Sequence, residues 1–152
     1  MHLTLWRWRD NQKDGTNLTN GDEMSAHDKA EFLRLNKRDG EIYIGSIGNQ
    51  TGDVYHLILL VGDNDRATHA AQLEWAKSIG GDLPNKLEAM MLFAHAKDQF
   101  QETAYWVSET YIYPDDPEDL DYAWYQYFRY GYQDLNRKND PLRARAVRRL
   151  PI

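Results

Sequence analysis

Two apolar segments separated by a turn constrain the fold of this chain most strongly. Residues 41–47 and 54–60 are rich in β-branched and aromatic residues, whereas residues 48–53 between them are rich in Gly, Asn and Asp. This pattern predicts a β-hairpin. A two-stranded hairpin is only marginally stable alone, so other elements of a single domain spanning residues 1–152 must pack against it.

Three segments have the sequence features of helices. Residues 26–35 place apolar side chains at helical spacing. Thr68 is positioned to cap a helix that runs to residue 78 and ends at two glycines. Asn85 with Glu88 three residues later is a capping-box arrangement, which predicts a helix to about residue 97. The predicted apolar face of that last helix is Leu87, Met90, Met91 and Ala94.

The remaining segments indicate strands and loops. Residues 1–40 are poorly assigned, with weak strand alternation at 3–9 and a polar loop at 11–22. The last third predicts a short strand at 104–107, an acidic loop at 113–121, an aromatic strand at 122–130, a turn region at 131–141 and a final strand at 142–150. The predicted class is therefore α+β.

Charge is distributed unevenly along the chain, whose net charge is −6. Residues 137–149 contain six basic residues and one acid, whereas residues 115–121 contain five acids in seven positions. An acidic body argues against direct nucleic-acid binding, which needs a concentrated basic face. Two interpretations remain open: the basic segment packs on the acidic loop, or one of the two contacts a partner.

Several motifs resemble the Lcl C-terminal-domain family, long described as a domain of unknown function. They are Trp75-Ala-Lys-Ser-Ile-Gly-Gly-Asp-Leu-Pro84 followed by Glu88, Tyr105-Trp-Val-Ser108, Ala123-Trp-Tyr-Gln126 with Gly131-Tyr-Gln133, and Arg143-Ala-Arg-Ala-Val-Arg-Arg149. Many family members with this pattern look like phage and prophage proteins. The motifs are also similar to the wider C-type-lectin-like fold, which includes formylglycine-generating enzymes and phage variable receptor-binding proteins. The resemblance covers about residues 41–152.

The resemblance implies a C-type-lectin-like fold in which two helices flank short antiparallel sheets. It implies core positions for Trp75, Leu83, Trp106, Trp124 and Val147. In phage variable proteins of this fold the C-terminal region displays the binding residues, so the resemblance places a binding face there.

Catalytic chemistry finds little support in these residues. The chain has no cysteine, which excludes disulfides, thiolate metal sites and the chemistry of formylglycine-generating enzymes. The five histidines form no His-x-x-x-His pair, and no phosphate-binding glycine loop is present. We therefore predict that the chain has no enzymatic activity, no catalytic residues, no metal site and no cofactor. One alternative stays open, because the acidic loop carries the oxygen ligands that calcium prefers, although the lectin Glu-Pro-Asn and Trp-Asn-Asp signatures are missing.

A protein-binding surface is the best interpretation of the aromatic and acidic residues, since tyrosine provides large contact area at little entropic cost. The predicted binding residues are Tyr111, Tyr113, Asp115, Asp116, Glu118, Asp119, Tyr125, Tyr127, Tyr130 and Tyr132. The predicted function is that of a phage- or prophage-type module that binds a bacterial host protein stoichiometrically, with inhibition of a host defence complex such as CRISPR as a more specific hypothesis.

The expected cellular location of the protein follows from the absence of membrane and secretion signals in the sequence. No apolar run approaches the length of a bilayer span, and the N-terminus does not resemble a signal peptide. We therefore expect a cytoplasmic protein without a membrane partner. The alternative function is a virion- or tail-associated module that binds a cell-surface glycan or protein, with calcium as a candidate requirement. Composition leaves the oligomeric state open.

Overall fold

The computed structural model describes residues 25–152, and this part of the chain has the predicted mixed α+β class. The predicted strand at 3–9 and loop at 11–22 lie outside the described residues. In chain order the elements are α1 (Ala26–Asn36), β1 (Ile42–Gly48), β2 (Val54–Leu59), β3 (Asn64–Ala67), α2 (His69–Ser78), α3 (Lys86–Ala96), a 3₁₀ turn (Lys97–Gln99), β4 (Ala104–Thr110), β5 (Tyr122–Tyr127), β6 (Gln133–Arg137), β7 (Leu142–Ala144) and β8 (Val147–Pro151).

The predicted hairpin is confirmed and forms two strands of a three-stranded sheet. β1 pairs antiparallel with β2, and β2 pairs antiparallel with β8, in the order β1-β2-β8. The register places Leu57 opposite Arg149 and Leu59 opposite Val147. Strand β8 therefore returns to the β1–β2 hairpin and completes the three-stranded sheet.

The second sheet has five strands in the order β3-β7-β4-β5-β6, with β4 and β7 parallel and the other pairs antiparallel. Two predictions for this region are wrong. Residues 131–141 contain β6 rather than only a turn, and residues 142–150 form two strands, β7 and β8, in different sheets. Strand β3 was not predicted, because this polar edge strand lacks apolar alternation.

Local capping motifs explain why the helix predictions succeed. The Thr68 side chain accepts a hydrogen bond from the Ala71 amide, and Asn85 and Glu88 form a reciprocal capping box. Gly81 follows α2 and lies against the closing strand. A Cβ atom at Gly81 would stand 2.6 Å from the Val147 carbonyl oxygen, so only glycine permits this close approach.

Two apolar clusters form the core on opposite faces of the five-stranded sheet. Helix α3 packs between the two sheets, where Leu92 joins Leu57 and Tyr105. Helix α2 covers the other face, where Ala76 joins Trp106. Of the expected core positions, Leu83, Trp106 and Val147 are fully buried, whereas Trp75 and Trp124 are only partly buried.

The predicted apolar face of α3 is wrong for Leu87, Met90 and Ala94, whereas Met91 is partly buried and packs against the core. The buried side of the helix carries Glu88, Ala89, Leu92 and Ala96, whereas Leu87 and Met90 are 54% and 50% exposed. Apolar residues occur on every side of this helix, so periodicity alone cannot choose its orientation. The buried Glu88 carboxylate, which pairs with the closing strand, marks the side that faces the core. No helix in the described part of the chain is long and apolar enough to cross a bilayer.

Candidate binding surface

Four aromatic side chains gather where β4 ends and β5 begins. The ring centroids of Tyr111 and Tyr113 lie 4.8 Å apart, those of Tyr111 and Trp124 lie 5.8 Å apart, and those of Tyr113 and Tyr122 lie 5.7 Å apart. All three contacts are edge-to-face, the arrangement that ring quadrupoles favour. The Tyr111 amide also donates to the Tyr122 carbonyl over 2.8 Å. We call these four residues the aromatic platform.

Two cations of the chain cover rings of the aromatic platform. The Lys86 ammonium stands 3.6 Å from the Trp124 ring centroid, and the Arg137 guanidinium stands 5.4 Å from that of Tyr122. Both distances suit cation–π attraction. The start of α3 is fixed here as well, because the Lys86 amide donates to Glu109 and its carbonyl accepts from Gln133. The platform is therefore joined to the N-terminal end of α3.

Because Tyr113 belongs to the aromatic platform, the acidic loop comprises residues 114–121, which leave the platform and return to it. Its backbone is shaped by a bond from the Asp119 amide to the Asp116 carbonyl and one from the Asp121 amide to the Asp119 side chain. Within residues 25–152 none of its five carboxylates forms an ion pair. All of them are exposed except that of Asp119, which is partly buried. The loop thus presents a concentrated negative charge.

The basic segment, residues 137–149, lies against this loop only at its start, where the Lys138 amide donates to the Asp121 carbonyl over 2.8 Å. None of its side chains forms an ion pair with the loop carboxylates in the described chain, so the interpretation that the segment packs on the loop is wrong for its four C-terminal arginines. Arg148 pairs with Glu41 at 2.7 Å, Arg149 binds Glu88 through two bonds of 2.7 Å, and Arg143 pairs with Asp63 at 3.0 Å. Arg145 is buried and donates to the carbonyl oxygens of Gln99 and Leu60. The four arginines of β7, β8 and their junction therefore serve internal contacts, and the acidic loop keeps its charge.

The other predicted tyrosines form a separate group around the β5–β6 turn. We call Tyr125, Tyr127, Tyr130 and Tyr132 the hairpin tyrosines. The Tyr127 ring lies 5.0 Å from that of Tyr132 and 5.9 Å from that of Tyr130. Successive residues of a strand point to opposite faces, so Tyr125 and Tyr127 face away from Trp124 of the aromatic platform. The structure therefore divides the ten predicted residues between two surfaces.

The electrostatics of the tyrosines suit hydrogen-bond donation. Partial burial raises the pKa of Tyr113, and the neighbouring Tyr122 and Asp119 raise it further. Burial likewise raises the pKa of Tyr125, with Asp134 adding to the effect. A phenol with an ordinary pKa already keeps its proton at neutral pH, and the raised pKa extends the range over which Tyr113 and Tyr125 donate hydrogen bonds to more alkaline conditions.

The outer edge of β6, beside the platform, is blocked against strand addition. Hydrogen-bonded and non-hydrogen-bonded residue pairs alternate between β5 and β6, and Tyr127 is hydrogen-bonded to Tyr132. Leu135 and Arg137 therefore belong to non-hydrogen-bonded pairs, and their amides point away from β5. The side chains of Asp134 and Asn136 accept from these two amides over 2.7 and 2.9 Å. A partner is thus expected to contact side chains rather than extend the sheet.

The most deeply buried carboxylate of the described residues has a structural role. Burial alone would raise the pKa of Glu88, but bonds from Arg149, the Asn85 amide and Tyr55 outweigh burial and hold that pKa below its ordinary range. A cleft of about 460 Å³ lies beside Tyr55 and Arg149. Its polar lining groups are engaged in internal bonds, since Tyr55 donates to Glu88 and Arg149 to Glu88 and Asp82.

Two further observations bear on chemistry. Within residues 25–152 no three His, Asp or Glu side chains converge in a way that would hold a metal ion, and this includes the acidic loop. His69 is buried and bonded to the Val107 carbonyl, which is a structural contact.

Sequence reasoning missed four residues of this surface. It does not indicate Lys86, Tyr122 or Arg137 as site residues, and it predicts a core position for Trp124. The helical spacing of Leu87, Met90 and Ala94 indicates that these residues share one face of α3. The sequence predicts that this face is buried, whereas it is exposed in the structure.

Comparison with known proteins finds no matching family model, no matching curated protein and no matching solved structure. The resemblance to the Lcl C-terminal-domain family therefore stays a prediction, and the case for function rests on the geometry of this surface.

Proposed function

We propose that this protein is a non-enzymatic module that binds another protein stoichiometrically through the aromatic platform and the acidic loop. The observation that carries the proposal is the pairing of a loop of five carboxylates, without ion pairs in the described chain, with four clustered aromatic rings. Aromatic residues dominate binding energy at protein interfaces, while charged rims speed association and select the partner.

The partner we propose is a bacterial host protein, and the setting is the cytoplasm of a cell that carries a phage or prophage. A dense group of carboxylates complements a basic site that normally holds phosphate groups. The protein would then inhibit a host defence complex, such as a CRISPR effector, by occupying such a site.

A C-type-lectin-like fold is part of the same proposal. Three features support it: β8 returns to pair with β2, helices α2 and α3 lie between these strands in the sequence, and four of the five strands of the second sheet follow α3. Fold likeness alone does not define a function, so the binding surface remains the principal argument.

The alternative, a virion- or tail-associated glycan binder that uses calcium, has weaker support. A sugar that stacks on an aromatic ring needs an open ring face, and the platform offers fewer of them because Lys86 covers one face of Trp124 and Arg137 lies over Tyr122. The carboxylates of the acidic loop also do not converge as calcium ligands would. A protein partner needs neither feature.

The test is capture of host proteins from bacterial lysate with the tagged full chain, read by mass spectrometry. The loop variant Asp115→Asn/Asp116→Asn/Glu118→Gln/Asp119→Asn removes four negative charges. The control variant Asp39→Asn/Glu74→Gln/Asp98→Asn/Glu102→Gln removes four charges from exposed residues elsewhere.

We expect one host protein to be captured at stoichiometric yield by the wild type and the control variant, and to be lost with the loop variant. Equal capture by the loop variant and the wild type would refute the acidic loop as a contact. Capture of no protein, together with a calcium-dependent rise in melting temperature, would favour the virion alternative.

A further inference from the structure

An exposed apolar stripe runs along α3 beside the aromatic platform. Leu87, Met90 and Ala94 occupy positions i, i+3 and i+7, which lie on one side of a helix. All three are exposed, and the two large side chains keep about half of their surface accessible. Within the described residues no other element covers this stripe. It is about 10 Å long, because a helix rises about 1.5 Å per residue.

The apolar stripe and the acidic loop belong to one surface, with the aromatic platform between them. Lys86, next to Leu87, covers the Trp124 ring, and Trp124 contacts Tyr111. The acidic loop begins directly after Tyr113. A partner lying across this surface meets apolar side chains at one end and carboxylates at the other.

We propose that the partner contributes a basic amphipathic segment, with apolar residues on the stripe and Lys or Arg residues on the acidic loop. This inference rests on the proposed function and specifies the partner of the same site. Charge complementarity favours a basic partner, because the five loop carboxylates have no cation partner in the described chain. A helix laid against an apolar helical stripe is a recurrent mode of recognition.

A second copy of this chain is a poorer occupant. The largest basic cluster of the sequence is the arginine set of β7, β8 and their junction, and those side chains are bonded within the molecule. Within residues 25–152, a second copy therefore cannot offer this arginine set to the acidic loop. It would instead bring another acidic loop, and like charges disfavour such a contact.

The test uses a synthetic 14-residue peptide of Leu and Lys with leucines at helical spacing, and a control peptide with Glu in place of each Lys. Binding to the full chain is measured by fluorescence anisotropy at two salt concentrations, and the contact is mapped by ¹⁵N chemical shifts. The stripe variant is Leu87→Gln/Met90→Gln. Its matched control is Leu35→Gln/Ile152→Gln, which alters two exposed apolar residues elsewhere.

We expect the Leu/Lys peptide to bind and the Leu/Glu peptide not to bind. The stripe variant should weaken binding about tenfold, the loop variant should weaken it and reduce its salt dependence, and the control should match the wild type. Shifts should concentrate at residues 86–94 and 111–121. This map uses the wild-type chain and does not depend on the folding of a variant.

Three outcomes would overturn the inference: equal affinity of the stripe variant, shifts confined to the hairpin tyrosines, or a homodimer in sedimentation that the stripe variant dissociates. Failure here is distinguishable from failure of the proposed function. Host-protein capture that needs the acidic loop but not Leu87 and Met90 would keep the proposed function and reject the amphipathic partner.

Discussion

The two charged regions of this molecule use their charges in opposite ways. At the three-stranded sheet, Arg148 and Arg149 are bound to Glu41 and Glu88, and both carboxylates are buried. At the aromatic platform, the acidic loop faces solvent without ion pairs in the described chain. The charges of the first region therefore stabilise the fold, whereas those of the second remain available to a partner.

The largest expected effect is at the buried pair. Glu88→Gln should lower the free energy of unfolding by about 3–5 kcal/mol, because it leaves the Arg149 guanidinium without its buried partner. Urea denaturation measures this change. Asp82→Asn is the control, since Asp82 binds the same arginine from a mostly exposed position and should cost less than about 1 kcal/mol. Equal costs for the two variants would contradict the structural role of Glu88.

A second prediction concerns the approach of α2 to the closing strand. Gly81→Ala should cost about 1–3 kcal/mol, because its Cβ would lie 2.6 Å from the Val147 carbonyl oxygen and 2.5 Å from the Leu60 side chain. Gly48→Ala is the control, since a Cβ there meets nothing closer than 3.9 Å. Thermal unfolding compares them. A neutral Gly81→Ala would show that β8 does not pack where the structure places it.

Acid should weaken the arginine-paired region specifically. Glu88 has a folded-state pKa below its ordinary range, so its contribution to stability is complete above the ordinary carboxyl pKa of about 4.3 and is lost as pH falls through the lower folded-state value. We expect unfolding free energy to decline as pH drops below about 5. The decline should be shallower in Glu88→Gln, while an unchanged slope in that variant would argue against the pair.

Removing the cation above the aromatic platform should have a smaller effect on the free energy of unfolding. Lys86→Met keeps the aliphatic stem but removes the charge above Trp124, and should cost about 0.5–1 kcal/mol. The measurement is urea denaturation followed by tryptophan fluorescence. Lys77→Met, at an exposed position on α2, is the control and should be neutral. A larger loss at Lys77 would contradict the cation–π contact.

The smallest effect on stability is expected in the acidic loop. The four-residue loop variant should change unfolding free energy by less than about 0.5 kcal/mol, because surface charges without partners contribute little to the fold. Calorimetry tests this. A loss of several kcal/mol would mean that the loop carboxylates have a structural role, and the comparison between the two regions would fail.

Local motifs explain which parts of the fold were predictable. The helix starts at Thr68 and Asn85 depend on residues three positions away, so the sequence shows them directly. The partners of Arg148 and Arg149 lie 107 and 61 residues away, and no local pattern indicates them. Strand β6 is a polar edge strand, and such strands lack the alternation that predicts an inner strand.

The sequence predicts most residues of the candidate surface, but it does not predict how they are arranged. The aromatic and acidic residues stood out because tyrosine and carboxylates cluster between residues 111 and 134. Their division into two surfaces follows from the alternation of β5, in which Trp124 and Tyr125 face opposite ways. The apolar stripe was assigned to the core, because the side of α3 that faces inward depends on a pairing between distant residues.

The binding role of the acidic loop is tested most directly by the ratio of host protein captured by the loop variant to that captured by its charge-matched control. We predict a ratio near zero, with both variants as stable as the wild type. A ratio near one would contradict this prediction, because the carboxylates of the acidic loop would then not be needed for contact with a partner.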